Sequence, residues 1–179
     1  MRLFVGLDLP GELRALLAAL AARRIPGARW VPPENYHMTL RFIGEAPAWR
    51  ADEIDGALSA LRARKFSLTV AGLGMFNKGD RAIALWAGVE RSDQLAHLRT
   101  KIETALQRAG LEPERRRFSP HITLARLDNV PEAKLVEFVQ AHNLFRAPAV
   151  PVEHFTLFSS QLGKEQSVYT AEAEYDLVC

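Results

Sequence analysis

Two His-x-Thr-Leu motifs are the part of this sequence best suited to chemistry. They are His37-Met38-Thr39-Leu40 and His121-Ile122-Thr123-Leu124, and their histidines lie 84 residues apart. Because alternate residues of a strand point to one face, each motif would present an imidazole and a hydroxyl together. One ring could take a proton from water while the other protonates a leaving group, and the hydroxyls could bind phosphate oxygens. The pair predicts acid–base catalysis at phosphorus.

A third copy of the pattern, His154-Phe155-Thr156-Leu157, serves as a control. The residue that lies 84 positions before His154 is Val70, and no His-x-Thr motif occurs there in the first half of the chain. A lone histidine on a strand is more often structural than catalytic. We therefore predict a structural or peripheral role for His154.

Two similar sets of predicted elements surround the motifs. The order strand–helix–strand–helix–strand occurs twice, in approximate units 1–78 and 79–179 that we expect to interleave, and a last strand follows. The predicted strands are 3–7, 37–43, 66–75, 82–89, 121–126, 150–159 and 168–178, and the predicted helices are 10–24, 48–64, 93–109 and 131–142. We predict a single α+β domain over 1–179. It would be bilobal, with two pseudo-two-fold-related α/β lobes whose antiparallel-rich sheets line a central cleft.

The composition excludes several classes of protein. With 179 residues and 48% hydrophobic side chains, the chain is neither disordered nor a disulfide-dependent miniature fold. Its only cysteine, Cys179, excludes an intramolecular disulfide and any site that needs two thiolates. A net charge of +2 does not indicate a broad nucleic-acid or membrane surface. We expect a cytoplasmic protein that binds no membrane and, lacking metal-ligand spacings such as HExxH, neither metal nor cofactor.

The flanks of the two motifs resemble the two-histidine (2H) phosphoesterase superfamily. Within it they are most similar to the RNA 2′,3′-cyclic phosphodiesterases, also called 2′–5′ RNA ligases. The resemblance is carried by RWVPPENYHMTLRFIG at 29–44 and FSPHITLAR at 118–126, and it extends over nearly the whole chain. It is looser at the predicted rim loop around Lys164-Glu165-Gln166. It implies metal-independent opening of 2′,3′-cyclic phosphate ends of RNA, such as tRNA halves or other cleaved RNA, to 2′-phosphomonoesters, with minor reverse 2′–5′ ligation.

The resemblance also implies a role for each motif residue. His37 would be the general acid that protonates O3′, and His121 the general base that activates water. Thr39 and Thr123 would hold phosphate oxygens, and Arg126, five residues after the second histidine, would contact the phosphate. Because the motifs are nearly symmetric, the acid and base could also be exchanged.

Other side chains near the motifs have two readings each. Arg41 shares strand parity with His37, so it should face the cleft and bind substrate, the alternative being an ion pair at the strand end. Phe42 and Phe118 could stack a terminal base. Strand parity instead favours a core position for Phe42, whereas Phe118 would lie near the rim. The run Arg115–Arg117 is either a solvated loop or a guide for the RNA backbone.

Two alternative functions stay open at this point. One is a related 2H phosphodiesterase that acts on 2′–5′ oligonucleotides or on a nucleotide cyclic phosphate. The other is a non-catalytic RNA-binding module that keeps the fold, although intact histidines and threonines in both motifs argue against it. We expect the protein to be a monomer.

Overall fold

The computed structural model describes all residues, 1–179, and contains ten strands, four α-helices and one 3₁₀ turn at Pro33–Asn35. The strands are β1 (Arg2–Asp8), β2 (Ala28–Trp30), β3 (His37–Glu45), β4 (Phe66–Leu68), β5 (Val70–Lys78), β6 (Arg81–Val89), β7 (His121–Leu127), β8 (Val150–Val152), β9 (His154–Leu162) and β10 (Ser167–Asp176). The helices are α1 (Gly11–Ala21), α2 (Ala48–Ser59), α3 (Asp93–Arg108) and α4 (Glu132–His142). The mixture of helices with sheets confirms the predicted α+β class.

The two motif strands belong to different sheets. One antiparallel sheet has the order β10-β9-β1-β3, and the other has the order β2-β7-β6-β5. The strand of the first motif, β3, and the strand of the second, β7, contact each other across the junction of the sheets. The fold therefore brings the two motifs together although 84 residues separate their histidines.

Strands are exchanged between the two halves of the chain. The first half contributes β5 to the sheet of β6 and β7, and the second half contributes β9 and β10 to the sheet of β1 and β3. The short strands β4 and β8 pair only with each other. For that reason the strands predicted at 66–75 and 150–159 are each interrupted, at Thr69 and Glu153, where the chain passes from this small sheet into a large one.

The apolar side chains of the motif strands anchor them in a continuous core. Met38, Leu40, Ile122 and Leu124 are all at most 2% exposed and pack in one cluster with helix residues such as Leu98. Helix α3 begins at a Ser92 cap, whose hydroxyl accepts a hydrogen bond from the Leu95 N–H at 3.1 Å. Burial of alternate motif residues leaves the histidines and threonines on the opposite face. No helix of the chain has the length and apolar character needed to cross a membrane.

Candidate active site

The histidine and threonine of each motif lie on the cleft side of their strand. His37 and Thr39 are half-buried, as are His121 and Thr123. The charge of His121 is one of the causes that lower the pKa of His37. Since β3 and β7 contact each other, the structure brings the four predicted motif side chains to the same junction between the sheets.

A β-bulge follows the threonine in both motif strands. Across the β1–β3 pair, Gly6 faces Thr39 while the next residue of β1, Val5, faces Arg41, so Leu40 is an extra residue. The β6–β7 pair repeats this pattern: Trp86 faces Thr123 and Leu85 faces Ala125, which leaves Leu124 extra. A bulge of this kind shifts the alternation of side chains by one residue.

The bulges change which side chain joins the histidine in the cleft. The fourth residue after each histidine turns inward, so Arg41 and Ala125 are buried. The fifth residue turns outward, so Phe42 is 53% exposed and Arg126 is exposed. Phe42 therefore lies on the cleft face, with its ring 6.0 Å from that of Phe4, and its predicted core position is wrong.

Arg41 does not face the cleft, so that prediction is wrong. Its Nε donates to Glu103 Oε2 of α3 at 2.8 Å, and its guanidinium also donates to the carbonyl oxygens of Phe42 and Glu112. Burial alone would raise the pKa of Glu103. The hydrogen bonds that its carboxylate accepts, above all from Arg41, outweigh burial and lower that pKa to about 2. Arg41 thus links β3 to α3 through an ion pair, which is the alternative predicted for this residue.

Both catalytic candidates present the same ring nitrogen to the cleft. His37 Nδ1 donates to the carbonyl oxygen of Asn35 at 2.8 Å, and His121 Nδ1 donates to that of Ser119 at 2.6 Å. This contact fixes the Nδ1–H tautomer and leaves Nε2 free for proton exchange. In His37, Nε2 lies 3.0 Å from Thr39 Oγ1, whose hydroxyl can donate to it while the ring is neutral.

Aromatic side chains surround both imidazoles. The His37 ring lies 4.9 Å from that of Phe4 and 5.1 Å from that of Tyr169, and the His121 ring lies 4.7 Å from that of Phe76. Burial lowers the pKa of both histidines below 6.5, although the backbone carbonyls oppose this, and the charge of Arg126 lowers both further. The two rings are therefore more weakly basic than free histidine.

These aromatic residues were missed at the level of sequence. Phe4 is brought beside His37 by the β1–β3 pairing, and Tyr169 comes from β10 at the far edge of the same sheet. The ring centroid of Trp86 lies 6.3 Å from that of His121. Its ring also lies over Gly74, where a Cβ atom would be 2.3 Å from the indole. Only Phe4 could have been found from the sequence, because it lies two residues before Gly6 on β1 and alternate residues of a strand share a face.

Phe118 lies against α3. Its ring faces the Arg99 guanidinium at 5.4 Å, and it packs against the hydrophobic core. The structure therefore does not favour the predicted contact with a terminal base. The neighbouring run Arg115–Arg117 is exposed in the loop before β7, which is compatible with both of its readings.

His154 lies outside the two-histidine constellation. Its Nε2 is 2.8 Å from Asp8 Oδ1, and this pair fixes the start of β9 beside the end of β1. Together with Glu174, these side chains place three possible metal-ligating atoms within 4.8 Å of one another. This group contains neither motif histidine. The expected independence from metal remains a prediction.

Comparisons with known proteins agree with this geometry. The sequence model of the 2′-5′ RNA ligase superfamily matches residues 9–164. The chain is 34% identical over 163 residues to the RNA 2′,3′-cyclic phosphodiesterase of Aeropyrum pernix, covering 89% of this chain and 91% of that protein. It is 32% identical over 177 residues to the protein of the same name from Thermotoga maritima, covering 94% of this chain and 91% of that protein.

Solved structures show the same fold. The crystal structure of Escherichia coli LigT in apo form superposes with a TM-score of 0.81 at 26% identity, covering 99% of this chain and 98% of LigT. LigT complexed with 3′-AMP gives a TM-score of 0.80 at 27% identity, with 98% and 97% covered. The resemblance seen in the two motifs is thereby confirmed, and this chain belongs to the 2′-5′ RNA ligase superfamily of 2H phosphoesterases.

Proposed function

We propose that this protein hydrolyses the 2′,3′-cyclic phosphate at the end of an RNA strand to a 2′-phosphomonoester without a metal ion. The observation that carries the proposal is the pair of histidines, on two strands in contact, whose Nδ1 atoms are both held by backbone carbonyls, so that Nε2 is the nitrogen left for proton exchange in each. A histidine pair with Nε2 free can exchange protons with water and with a leaving oxygen. The names of the relatives support this substrate.

In the proposed reaction, His121 Nε2 takes a proton from water as the water oxygen bonds to phosphorus. The bond from phosphorus to O3′ breaks, and His37 Nε2–H gives its proton to O3′. The hydroxyls of Thr39 and Thr123 donate to the non-bridging oxygens, and Arg126 offsets their charge as it grows. His37 must be protonated for this step, and the negative phosphate raises its pKa once substrate is bound.

The same groups could also catalyse attack on the cyclic phosphate by a nucleophile other than water. If the 5′-hydroxyl of a second RNA replaces water, His121 takes the proton of that hydroxyl and a 2′–5′ phosphodiester forms as O3′ leaves. Water is in great excess over RNA ends, so we infer that ligation is the minor activity. Action on 2′–5′ oligonucleotides or on a nucleotide cyclic phosphate uses the same groups and is the alternative to test.

We also infer an approximate two-fold relation between the two sheets. It is supported by the bulges after Thr39 and Thr123, by the mutual pairing of β4 with β8, and by the exchange of β5 and β9. Under this proposal, the units 1–78 and 79–179 each provide one motif strand. Because one chain supplies both motifs, we expect the monomer to be active.

The deciding experiment uses a 5′-labelled oligoribonucleotide that ends in a 2′,3′-cyclic phosphate. In the presence of EDTA we expect conversion to a 2′-phosphate end, identified by comparison with authentic 2′- and 3′-phosphate standards. Activity that appears only when a divalent metal is added would contradict the proposed chemistry. Binding without turnover would favour the non-catalytic RNA-binding module. Parallel reactions with a nucleoside 2′,3′-cyclic phosphate and with a 2′–5′ dinucleotide decide between the substrate classes.

A further inference from the structure

Arg29 stands beside Arg126 on the cleft face of the second sheet. In the β2–β7 pair, the two residues lie directly opposite each other, and directly opposite side chains of an antiparallel pair project from the same face. The next residue, Trp30, points to the other face, where its ring lies 5.8 Å from that of Phe138 on α4. Arg29 is exposed, so its guanidinium is open to the cleft and to solvent.

The two arginines have no carboxylate to balance them. Arg41, Arg50, Arg99 and Arg146 form ion pairs, whereas neither Arg29 nor Arg126 does. Like charges directly opposite on neighbouring strands destabilise a sheet. An anion bound against this pair would remove the repulsion, and guanidinium groups suit phosphate because they can donate two parallel hydrogen bonds.

The two guanidiniums differ in distance from the reacting centre. The bulge at Leu124 places Arg126 on the same face of β7 as His121 and Thr123, so in the proposed reaction Arg126 contacts the phosphate that reacts. Arg29 lies one strand farther out, on β2 at the edge of the sheet. A 2′,3′-cyclic phosphate is the 3′ end of its RNA strand. Every other phosphate of that RNA therefore lies on the 5′ side of the reacting phosphate, and the RNA must leave the cleft in that direction.

We propose that Arg29 binds the phosphodiester that immediately precedes the cyclic end, so that Arg29 and Arg126 hold two consecutive phosphates. This inference rests on the proposed function and deepens it. It makes Arg29 a substrate-binding residue that favours an RNA strand over a nucleoside cyclic phosphate, since only the strand has a second phosphate. The ligand is therefore a single-stranded RNA end of two or more nucleotides.

The test compares two substrates in the Arg29→Gln variant. With a trinucleotide that ends in a 2′,3′-cyclic phosphate, we expect kcat/KM to fall about 10-fold, the order expected for loss of a hydrogen bond between charged groups. With a nucleoside 2′,3′-cyclic phosphate, kcat/KM should not change. In a plot of log kcat/KM against log salt concentration for the trinucleotide, the slope should become shallower by about 0.7, which corresponds to the loss of one phosphate contact on a single strand. Arg29→Lys should keep most of the activity on the trinucleotide.

A matched control is Arg108→Gln, an exposed arginine at the end of α3 that should leave both substrates unaffected. Equal losses on both substrates in Arg29→Gln would overturn the proposal, because they would indicate contact with the reacting phosphate or a folding defect. Unchanged kinetics on the trinucleotide would overturn it too.

If the wild-type protein hydrolyses neither substrate, the proposed function fails. Fluorescence anisotropy with a labelled, 3′-phosphorylated trinucleotide then still tests the inference, which requires about 10-fold weaker binding in Arg29→Gln.

Discussion

His37 and His121 are held by the same contact: each Nδ1 donates to the carbonyl oxygen of the residue two positions earlier, at 2.8 and 2.6 Å. A carbonyl oxygen can only accept a hydrogen bond, so Nδ1 keeps its proton and Nε2 is the atom that gains or loses one. In the proposed mechanism, both rings therefore exchange protons through the same atom. Their shared environment of aromatic side chains then determines the pH at which the pair can work.

We expect the maximum of kcat/KM to lie below pH 6.5. The general base must be neutral and the general acid protonated, and burial lowers the pKa of both histidines. The rate should fall on the acid side as the base is protonated and on the alkaline side as the acid loses its proton. In kcat the alkaline limb should move to higher pH, because the bound phosphate stabilises the imidazolium. Initial rates with a nucleoside 2′,3′-cyclic phosphate from about pH 4 to about 8 measure this, and a maximum of kcat/KM above about pH 7 would contradict it.

Removal of either imidazole should nearly abolish turnover. We expect His37→Ala and His121→Ala each to lower kcat by roughly 10²–10⁴, the usual contribution of a positioned acid or base. A diester with a nitrophenolate leaving group separates the roles, because that group departs without a proton. If His37 is the acid, His37→Ala should recover much of its rate on this substrate while His121→Ala should not; the opposite pattern would exchange the two assignments.

The matched control for these variants is His154→Ala. This histidine has the same His-x-Thr context but is paired with Asp8 outside the two-histidine constellation. We expect its loss to change kcat by less than about 3-fold, with at most a modest fall in melting temperature. A loss of activity equal to that of His37→Ala would contradict the assignment of His37 and His121 as the acid–base pair.

Phe42 should contribute to binding of RNA rather than to folding. Its ring is 53% exposed on the cleft face, so Phe42→Ala removes little buried area and should change the free energy of unfolding by less than about 1 kcal/mol. If the ring stacks on a base, its loss should raise KM by about 10-fold, since stacking on one base contributes roughly 1–3 kcal/mol. Phe42→Trp should preserve binding. An unchanged KM in Phe42→Ala, measured with the trinucleotide, would exclude stacking.

The positions of Arg41 and Phe42 show how far strand parity can be used. Alternation predicts the His37 and Thr39 side of the strand correctly, because these residues precede the bulge. The bulge at Leu40 depends on how β1 pairs with β3, and an ordinary leucine carries no local signal for it. Tyr169 could not be predicted for a similar reason: it reaches His37 through strand pairings that connect distant parts of the chain. Element order and motif chemistry were accessible from sequence, whereas register was not.

The buried pair of Arg41 and Glu103 should stabilise the fold in a pH-dependent way. The pKa of Glu103 is about 2 in the folded protein against 4.5 for the free side chain. The folded state therefore favours the carboxylate form of Glu103. Ionised Glu103 contributes about 3 kcal/mol to the free energy of unfolding above pH 4.5, and this contribution is lost as pH falls toward 2. Glu103→Gln should accordingly lower the free energy of unfolding by a larger amount at about pH 7 than at about pH 3.

Arg41→Met tests the same pair from its other side. It leaves the Glu103 carboxylate, whose side chain is 11% exposed, without its main partner, so at neutral pH the free energy of unfolding should fall by about 3–5 kcal/mol. Near pH 3 the deficit should shrink, because Glu103 can then be protonated. The double variant with Glu103→Gln should be more stable than the sum of the single losses predicts, since it removes both charges. Urea denaturation of all four proteins at both pH values measures the coupling. Additive losses that do not depend on pH would mean that the ion pair does not stabilise the junction between β3 and α3.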